Sequence, residues 1–396
     1  MCLTLTYEFK IEPSTEQAET MNQWLETCRK VWNWALTERK GWYNSGSWHI
    51  DASTLKTEYL IPADAPRPTF ASQCKALTEE RSRNPLLKAV HSQVLQQVLR
   101  QLEKAFVRMR EQKYGFPRFK KEGRMRSFLF PQLGKDPLRG NCINLPSIGS
   151  VKMRVSRPVP DGFILKQVRV LRRASGWYVM LALQADVDLP QPVPHGNAVG
   201  ISLGLEKFLA TSFGEAIAQP QFFVNTQCKL KLLQKRVSHK VLDSNNWQKA
   251  QKKVSRLHEY ISNCRKDFHF KLAHHLCDQA GMVFAEDLNI NKLAKEMLPH
   301  YLNAGWGQFL SILEWVCRKR GVFFFKVDPN GTSQTCPNCL TATGKKELSE
   351  RLHKCPKCGY ETDQEVAAAQ VVVQRGFAAV GHTVKMLSEG KVADSP

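Results

Sequence analysis

The residues with the most specific chemistry in this 396-residue sequence are four cysteines in two pairs, Cys336-Pro-Asn-Cys339 and Cys355-Pro-Lys-Cys358-Gly359, separated by residues 340–354. Two CxxC turns at that separation present four thiolates to one tetrahedral zinc. With four sulfur ligands the coordination is closed, so the expected zinc holds structure and does no chemistry. The other eight cysteines (Cys2, Cys28, Cys74, Cys142, Cys228, Cys264, Cys277 and Cys317) lack such spacing and read as buried or incidental thiols.

A second set of residues is acidic. Glu286 closes the apolar run Met282-Val283-Phe284-Ala285, and Asp363 and Glu365 lie in the helix start read from Glu361 to Ala369, just past the second cysteine pair. Upstream, Val199-Gly200-Ile201-Ser202-Leu203-Gly204-Leu205 reads as a strand that carries Ser202. Each fragment alone has an ordinary explanation: a solvated strand end, or an acid favoured by a helix dipole. Their order along the chain, with the cysteine pairs between the last two, is what links them.

These residues need elements to position them. The opening Thr4–Ile11 alternates at period two, and Pro13, Ser14 and Thr15 then announce a helix with Glu16 in its first turn. Helical spacing covers 20–43 and 71–110, with Val94, Leu95, Val98, Leu102 and Phe106 on one face, interrupted around 44–70. Trp32 and Trp34 fit a helix core better than base stacking. Short alternating runs at 127–130, 151–155, 166–173 and 177–183 predict a small antiparallel β domain, expected as a barrel that includes the opening strand. Pro190, Pro192 and Pro194 form a linker. Beyond it come two adjacent strands and two long basic helices over 225–280. Their seams, Leu230, Leu233 and Val237 against Val254, Leu257 and Ile261, predict a hairpin. Strands 282–286 and 322–327 flank a helix over 307–320, which makes an α/β domain.

Composition sets the class of partner. Lys and Arg number 57 against 36 Asp and Glu, a formal net charge of +21, and the excess recurs in separate segments. A polyanion is the natural counterpart, and nucleic acid is favoured over a membrane surface, which would concentrate charge on one amphipathic helix. No apolar run approaches the roughly 20 residues of a membrane span, and no signal peptide is visible, so a reducing cytoplasmic setting is expected.

The fragments YEFKIEPSTEQ, RKVWNWAL, GFPRFK, VGISLGLEKF, VFAEDLNI, WGQFLSILEW, KVDPNGTSQTCPNC and CPKCGYETDQEVAAAQ resemble, in order, the TnpB family, the transposon-encoded relatives of type V CRISPR effectors. The resemblance runs from Tyr7 to about Gly376. It implies a multidomain α+β chain: a wedge β-barrel (1–10 and 113–195) with a helical recognition insertion (11–112), then a RuvC (RNase H-like) α/β domain (196–327 and 360–385) with an inserted zinc ribbon (328–359) and a tail (386–396). It also implies a guide RNA, a double-stranded DNA target next to a short motif, and Mg²⁺-dependent cutting.

Cutting of that kind needs two divalent ions held by carboxylates from three places. By the family's pattern the first is an aspartate where this chain has Ser202, the second is Glu286, and the third is an aspartate where this chain has Glu365, with Asp363 close by and Ala367 in place of asparagine. Two altered positions out of three imply a vestigial site in which Mg²⁺ is not used catalytically. The expected function is RNA-guided DNA binding for targeting or repression. The alternatives are an active nuclease using Glu286 with Glu365 or Asp363, and a transposition accessory protein. A guide-free transposase is disfavoured by the lack of a HUH-type histidine pair. For nucleic-acid contacts, Arg118, Lys120 and Lys121 in the GFPRFK segment suit an RNA backbone, although packing of Phe116 as a turn explains the segment equally. Lys249, Lys252, Lys253, Arg256, Arg265 and Lys266 suit the wall of a heteroduplex channel or, equally, a solvated helix face.

Overall fold

The computed structural model describes residues 2–45, 66–134, 136–188, 190–204, 206–288, 304–344 and 351–381. They form two compact units that divide between Leu189 and Pro190, at the proline-bearing linker. The tail 386–396 and most of the interruption at 44–70 lie outside the described residues.

The first unit opens with β1 (Cys2–Glu12) and α1 (Thr15–Ser45). The helix begins where the sequence says it should, because Ser14 caps it reciprocally: the Gln17 amide donates to Ser14 Oγ at 3.2 Å and the Ser14 amide to Gln17 Oε1 at 3.0 Å. Three helices follow, α2 (Phe70–Arg83), α3 (Pro85–Lys88) and α4 (Ser92–Glu111), and the predicted face of α4 from Val94 to Phe106 is buried. Strands β2 (Ser127–Phe130), β3 (Leu138–Arg139), β4 (Cys142–Leu145), β5 (Gly149–Arg154), β6 (Ile164–Arg173) and β7 (Gly176–Asp188) join β1 in a seven-stranded sheet ordered β2-β6-β7-β1-β5-β4-β3. The expected barrel is a half-barrel: among the described residues, β2 and β3 are edges that do not pair with each other. Helices and sheet share one apolar core, in which Trp24 of α1 lies 5.5 Å from the Phe128 ring and 6.0 Å from Phe130.

The second unit is built on a five-stranded sheet, β10-β9-β8-β11-β12. Its strands are β8 (Ala198–Ser202), β9 (Lys207–Thr211), β10 (Ala216–Ala218), β11 (Met282–Glu286) and β12 (Phe323–Val327). β8 is antiparallel to β9 but parallel to β11, which is parallel to β12. Parallel neighbours need crossover helices. α5 (Phe222–Ser238) and α6 (Asn245–Gln279) connect β10 to β11, and α7 (Trp306–Arg320) connects β11 to β12. The predicted hairpin seam is present, with Leu230, Val254, Leu257 and Ile261 buried and Leu233 and Val237 against them.

Strand alternation sorts this sheet's side chains. Val199, Ile201, Val283 and Ala285 face α6 and α7 in one core. Met282 and Phe284 face the other way, onto Val372 of α8 (Gln364–Ala379). α8 starts at Gln364 and not at Glu361, because Glu361–Asp363 is a short strand, β14, paired with β13 (Leu352–Lys354). The helix lies close to the sheet because two glycines leave room. A Cβ on Gly200 would overlap the Ala369 carbonyl and stand 2.6 Å from Val373 Cγ2, and one on Gly376 would overlap the Phe284 ring. Gly200→Ala and Gly376→Ala should each destabilise the chain by on the order of 1–3 kcal/mol through overpacking. Thermal unfolding followed by circular dichroism measures this, with Gly115→Ala, whose added methyl meets nothing within 4 Å, as the control.

Candidate functional site

Ser202 shares the strand parity of Gly200, and Glu286 that of Phe284, so both point to the α8 side of the sheet. The parallel register pairs Ala285 with Ile201, which sets Glu286 and Ser202 side by side at the carboxyl ends of neighbouring strands. Glu365 enters from above, in the first turn of α8, and its carboxylate occupies the space that a side chain on Gly204 would need. Three fragments far apart in sequence therefore converge at one end of the sheet, as their order implied.

The environment of each group differs. Ser202 and Glu286 are buried. Burial pushes the Glu286 carboxyl above its ordinary range, opposed by a 2.6 Å hydrogen bond donated by Thr332 Oγ1 and by the charge of Arg375. Arg375 also donates to the carbonyls of Asp328 and Asn330, fixing the loop that presents Thr332. Glu365 is likewise raised by burial, with Lys207 pulling the other way, and its Oε2 is buried without a hydrogen-bond partner. Asp363 is different: burial opposes its ionisation, but Lys207 and the amides of Val366 and Glu365 together hold it below the usual carboxylate range. It caps α8 by accepting from Glu365 N at 3.0 Å and Val366 N at 3.4 Å, and it pairs with Lys207 Nζ at 2.5 Å.

The cysteine pairs close around a single point. Cys336 and Cys358 sulfurs are 3.6 Å apart, those of Cys339 and Cys355 3.5 Å, and all four lie within 4.8 Å of one another. Zn–S bonds of about 2.3 Å in a tetrahedron require sulfurs roughly 3.8 Å apart, so the four thiolates fit zinc. Each CxxC turn is closed by an amide donating back to its first cysteine carbonyl, Leu340 to Cys336 and Gly359 to Cys355. Both donors have positive φ, 57° and 70°. Glycine meets that requirement freely, whereas Leu340 meets it against steric cost.

Among the described residues, the four cysteines are the group of three or more metal-ligating side chains that comes together this tightly; the acidic set does not. Ser202 supplies a neutral hydroxyl where a bridging carboxylate would be needed, and Asp363 is engaged by the helix cap and Lys207.

The basic residues distribute unevenly. Lys249, Lys252, Lys253, Arg256 and Lys266 are exposed on α6, while Arg265 is half-buried beside Gly305. In the other unit the GFPRFK segment is clamped to α1: Trp32 Nε1 donates to the Arg118 carbonyl, and Asn33 and Arg29 to that of Lys120. Arg118 and Lys121 point to solvent, but the Lys120 ammonium sits 4.0 Å over the Trp32 ring. Trp32 is core as expected, whereas Trp34 is 39% exposed. Phe116 meets Phe106 and Tyr43 edge-on.

A RuvC-like sheet with convergent site positions and an inserted cysteine ribbon defines the class, and comparison with known proteins narrows it. Residues 175–297 match a family described as "Probable transposase" (OrfB of IS605), 306–372 the Cas12f1-like TNB domain, and 1–47 a helix-turn-helix domain of the same OrfB group, which here is β1 with α1. InsQ of Escherichia coli (strain K12), named as an RNA-guided DNA endonuclease, is 29% identical over 97% of this chain and 94% of its own. A Streptomyces pristinaespiralis protein with the same kind of name is 30% identical over 94% of this chain and 89% of its own. The fold is that of the Cas12f1 chain in a Cas12f1–sgRNA–target DNA complex, with a TM-score of 0.54 at 14% identity over 94% of this chain and 99% of that one. This chain belongs to the TnpB (IS605 OrfB) family.

Lys207, Thr332 and Arg375 were not anticipated as site residues. KVDPNGTSQTC places Thr332 between the last strand and the first CxxC, but nothing local distinguishes it from Ser333 or Thr335 as the partner of Glu286. Replacing Cys355 and Cys358 by Ser should remove about one zinc per chain, measured by atomic absorption, and retention of zinc would contradict the four-thiolate site.

Proposed function

We propose that this chain is an RNA-guided DNA-binding protein that holds guide-matched DNA beside a short duplex motif without cutting it. Family membership supports the RNA guide and the DNA target, and the net charge of +21 supports a polyanionic partner. Base pairing supplies sequence specificity in such a complex, and the protein reads backbone shape and the short motif. The observation that carries the non-cutting part is Ser202 beside Glu286 in the β8–β11 register. A hydroxyl gives no negative charge at neutral pH, so two Mg²⁺ ions there would repel each other with less ligand charge to offset them. No helix among the described residues is long and apolar enough to cross a membrane, in keeping with nucleic acid as the partner.

Binding to duplex DNA should depend on a copurifying structured RNA and weaken steeply with salt, because neutralising many phosphates releases counterions. Affinity for matched and unmatched duplexes before and after ribonuclease treatment measures this; guide-free protein that binds both as the complex does would overturn RNA guidance. Cleavage of matched DNA with Mg²⁺ or Mn²⁺ should be absent in the unmodified complex and restored in Ser202→Asp/Glu365→Asp. Robust cutting by the unmodified complex, abolished in Glu286→Ala, would establish a working nuclease instead.

A further inference from the structure

Lys207 begins β9, immediately beyond the loop that follows Ser202, and so lies at the same end of the sheet as the site. Its Nζ is 2.5 Å from Asp363 Oδ2. Beside it, Arg351 and Glu206 make a second ion pair, and the Arg351 carbonyl accepts from the Gln364 amide at the start of α8. The Ser202 loop is thus tied by two ion pairs to the ribbon hairpin and the first turn of α8. The partner of Lys207 is also the residue that caps the helix bearing Glu365.

Acidic groups gathered at the end of a sheet repel one another, and in a two-ion nuclease the divalent cations relieve that repulsion. This chain has lost the bridging carboxylate and has a cation on its own backbone at the same end. Glu365 Oε2 is buried with no hydrogen-bond partner and burial raises its carboxyl, so the ionised form depends on nearby positive charge. Of the two cations whose charge reaches Glu365, Lys207 acts more strongly than Arg351, and Lys207 also pairs directly with Asp363, two residues away.

We propose that the Lys207 ammonium is a built-in counter-ion of the vestigial metal site: it holds Asp363 and the first turn of α8 in place without a divalent ion and, by its charge, disfavours metal binding at Glu365. The proposal rests on the non-cutting reading only in using the same carboxylates. Cutting by the unmodified complex would overturn that reading, whereas this proposal is decided by metal affinity.

The experiment is Mn²⁺ binding to the full, zinc-loaded chain freed of nucleic acid, followed by electron paramagnetic resonance of free Mn²⁺. Lys207→Gln should bind Mn²⁺ about tenfold more tightly than the unmodified chain, since removal of one fixed positive charge that acts on Glu365 is read directly in affinity. Lys207→Arg, which keeps the charge, should bind as the unmodified chain does. Lys207→Gln/Glu365→Gln should lose the gain, which locates the ion. Affinity unchanged in Lys207→Gln, or raised equally in Lys207→Arg, would overturn the proposal. So would a gain that survives Glu365→Gln.

Discussion

The close approach of α8 to the sheet is the constraint on which the site depends, and it is set by two absent side chains. Gly200 on β8 and Gly376 on α8 allow backbone and ring atoms to occupy volume that a methyl group would claim. With the helix at that distance, its first turn falls over the carboxyl ends of β8 and β11, where strand parity has already aimed Ser202 and Glu286. A helix lifted off the sheet would keep every site residue but leave Glu365 out of reach. Packing at one end of α8 therefore decides electrostatics at the other.

The ribbon contributes to the same geometry. Its hairpin β13–β14 delivers Asp363 as the cap of α8, and Tyr360 donates to Gln370 at 3.0 Å on that helix. The loop before the first CxxC places Thr332 on Glu286. The four-cysteine cluster, which fits a zinc, thus lies between segments that carry side chains to both sides of the acidic site. Local helix-capping and ion-pair chemistry, worth little individually on a partly exposed surface, would gain effect from a zinc that fixed the hairpin from which it acts.

Much of this was legible in the sequence, and the residues show why. Period-two and helical patterns located β6, β7 and the α5–α6 seam, because burial on one face leaves a regular trace, and β11 showed as a continuous apolar run because both of its faces are buried. Pro13, Ser14 and Thr15 marked the start of α1, and paired CxxC spacing gave the ribbon, because both signals are local. What was not legible is what depends on distant neighbours. Closure of the first sheet is a matter of whether β2 meets β3, and no local pattern encodes that. Glu361–Asp363 has the composition of a helix start yet pairs as a strand with Leu352–Lys354. Lys207 reads as one more surface lysine until the fold places it on Asp363.

The separation of binding from cutting in the proposed reading follows from where the charges lie. Affinity for a nucleic-acid backbone grows with the number of lysines and arginines that meet phosphates, and such residues stand on α6 and elsewhere, on elements that do not depend on the acidic site. Cutting depends on a few carboxylates whose negative charge opposes the approach of a phosphate unless metal intervenes. In that reading, Ser202 in place of a carboxylate takes ligand charge away from the metal and, at the same time, removes one source of repulsion toward DNA. A change that abolishes catalysis is for this reason neutral or favourable for binding, and a chain selected only for occupancy of its target would have nothing to hold an aspartate at that position.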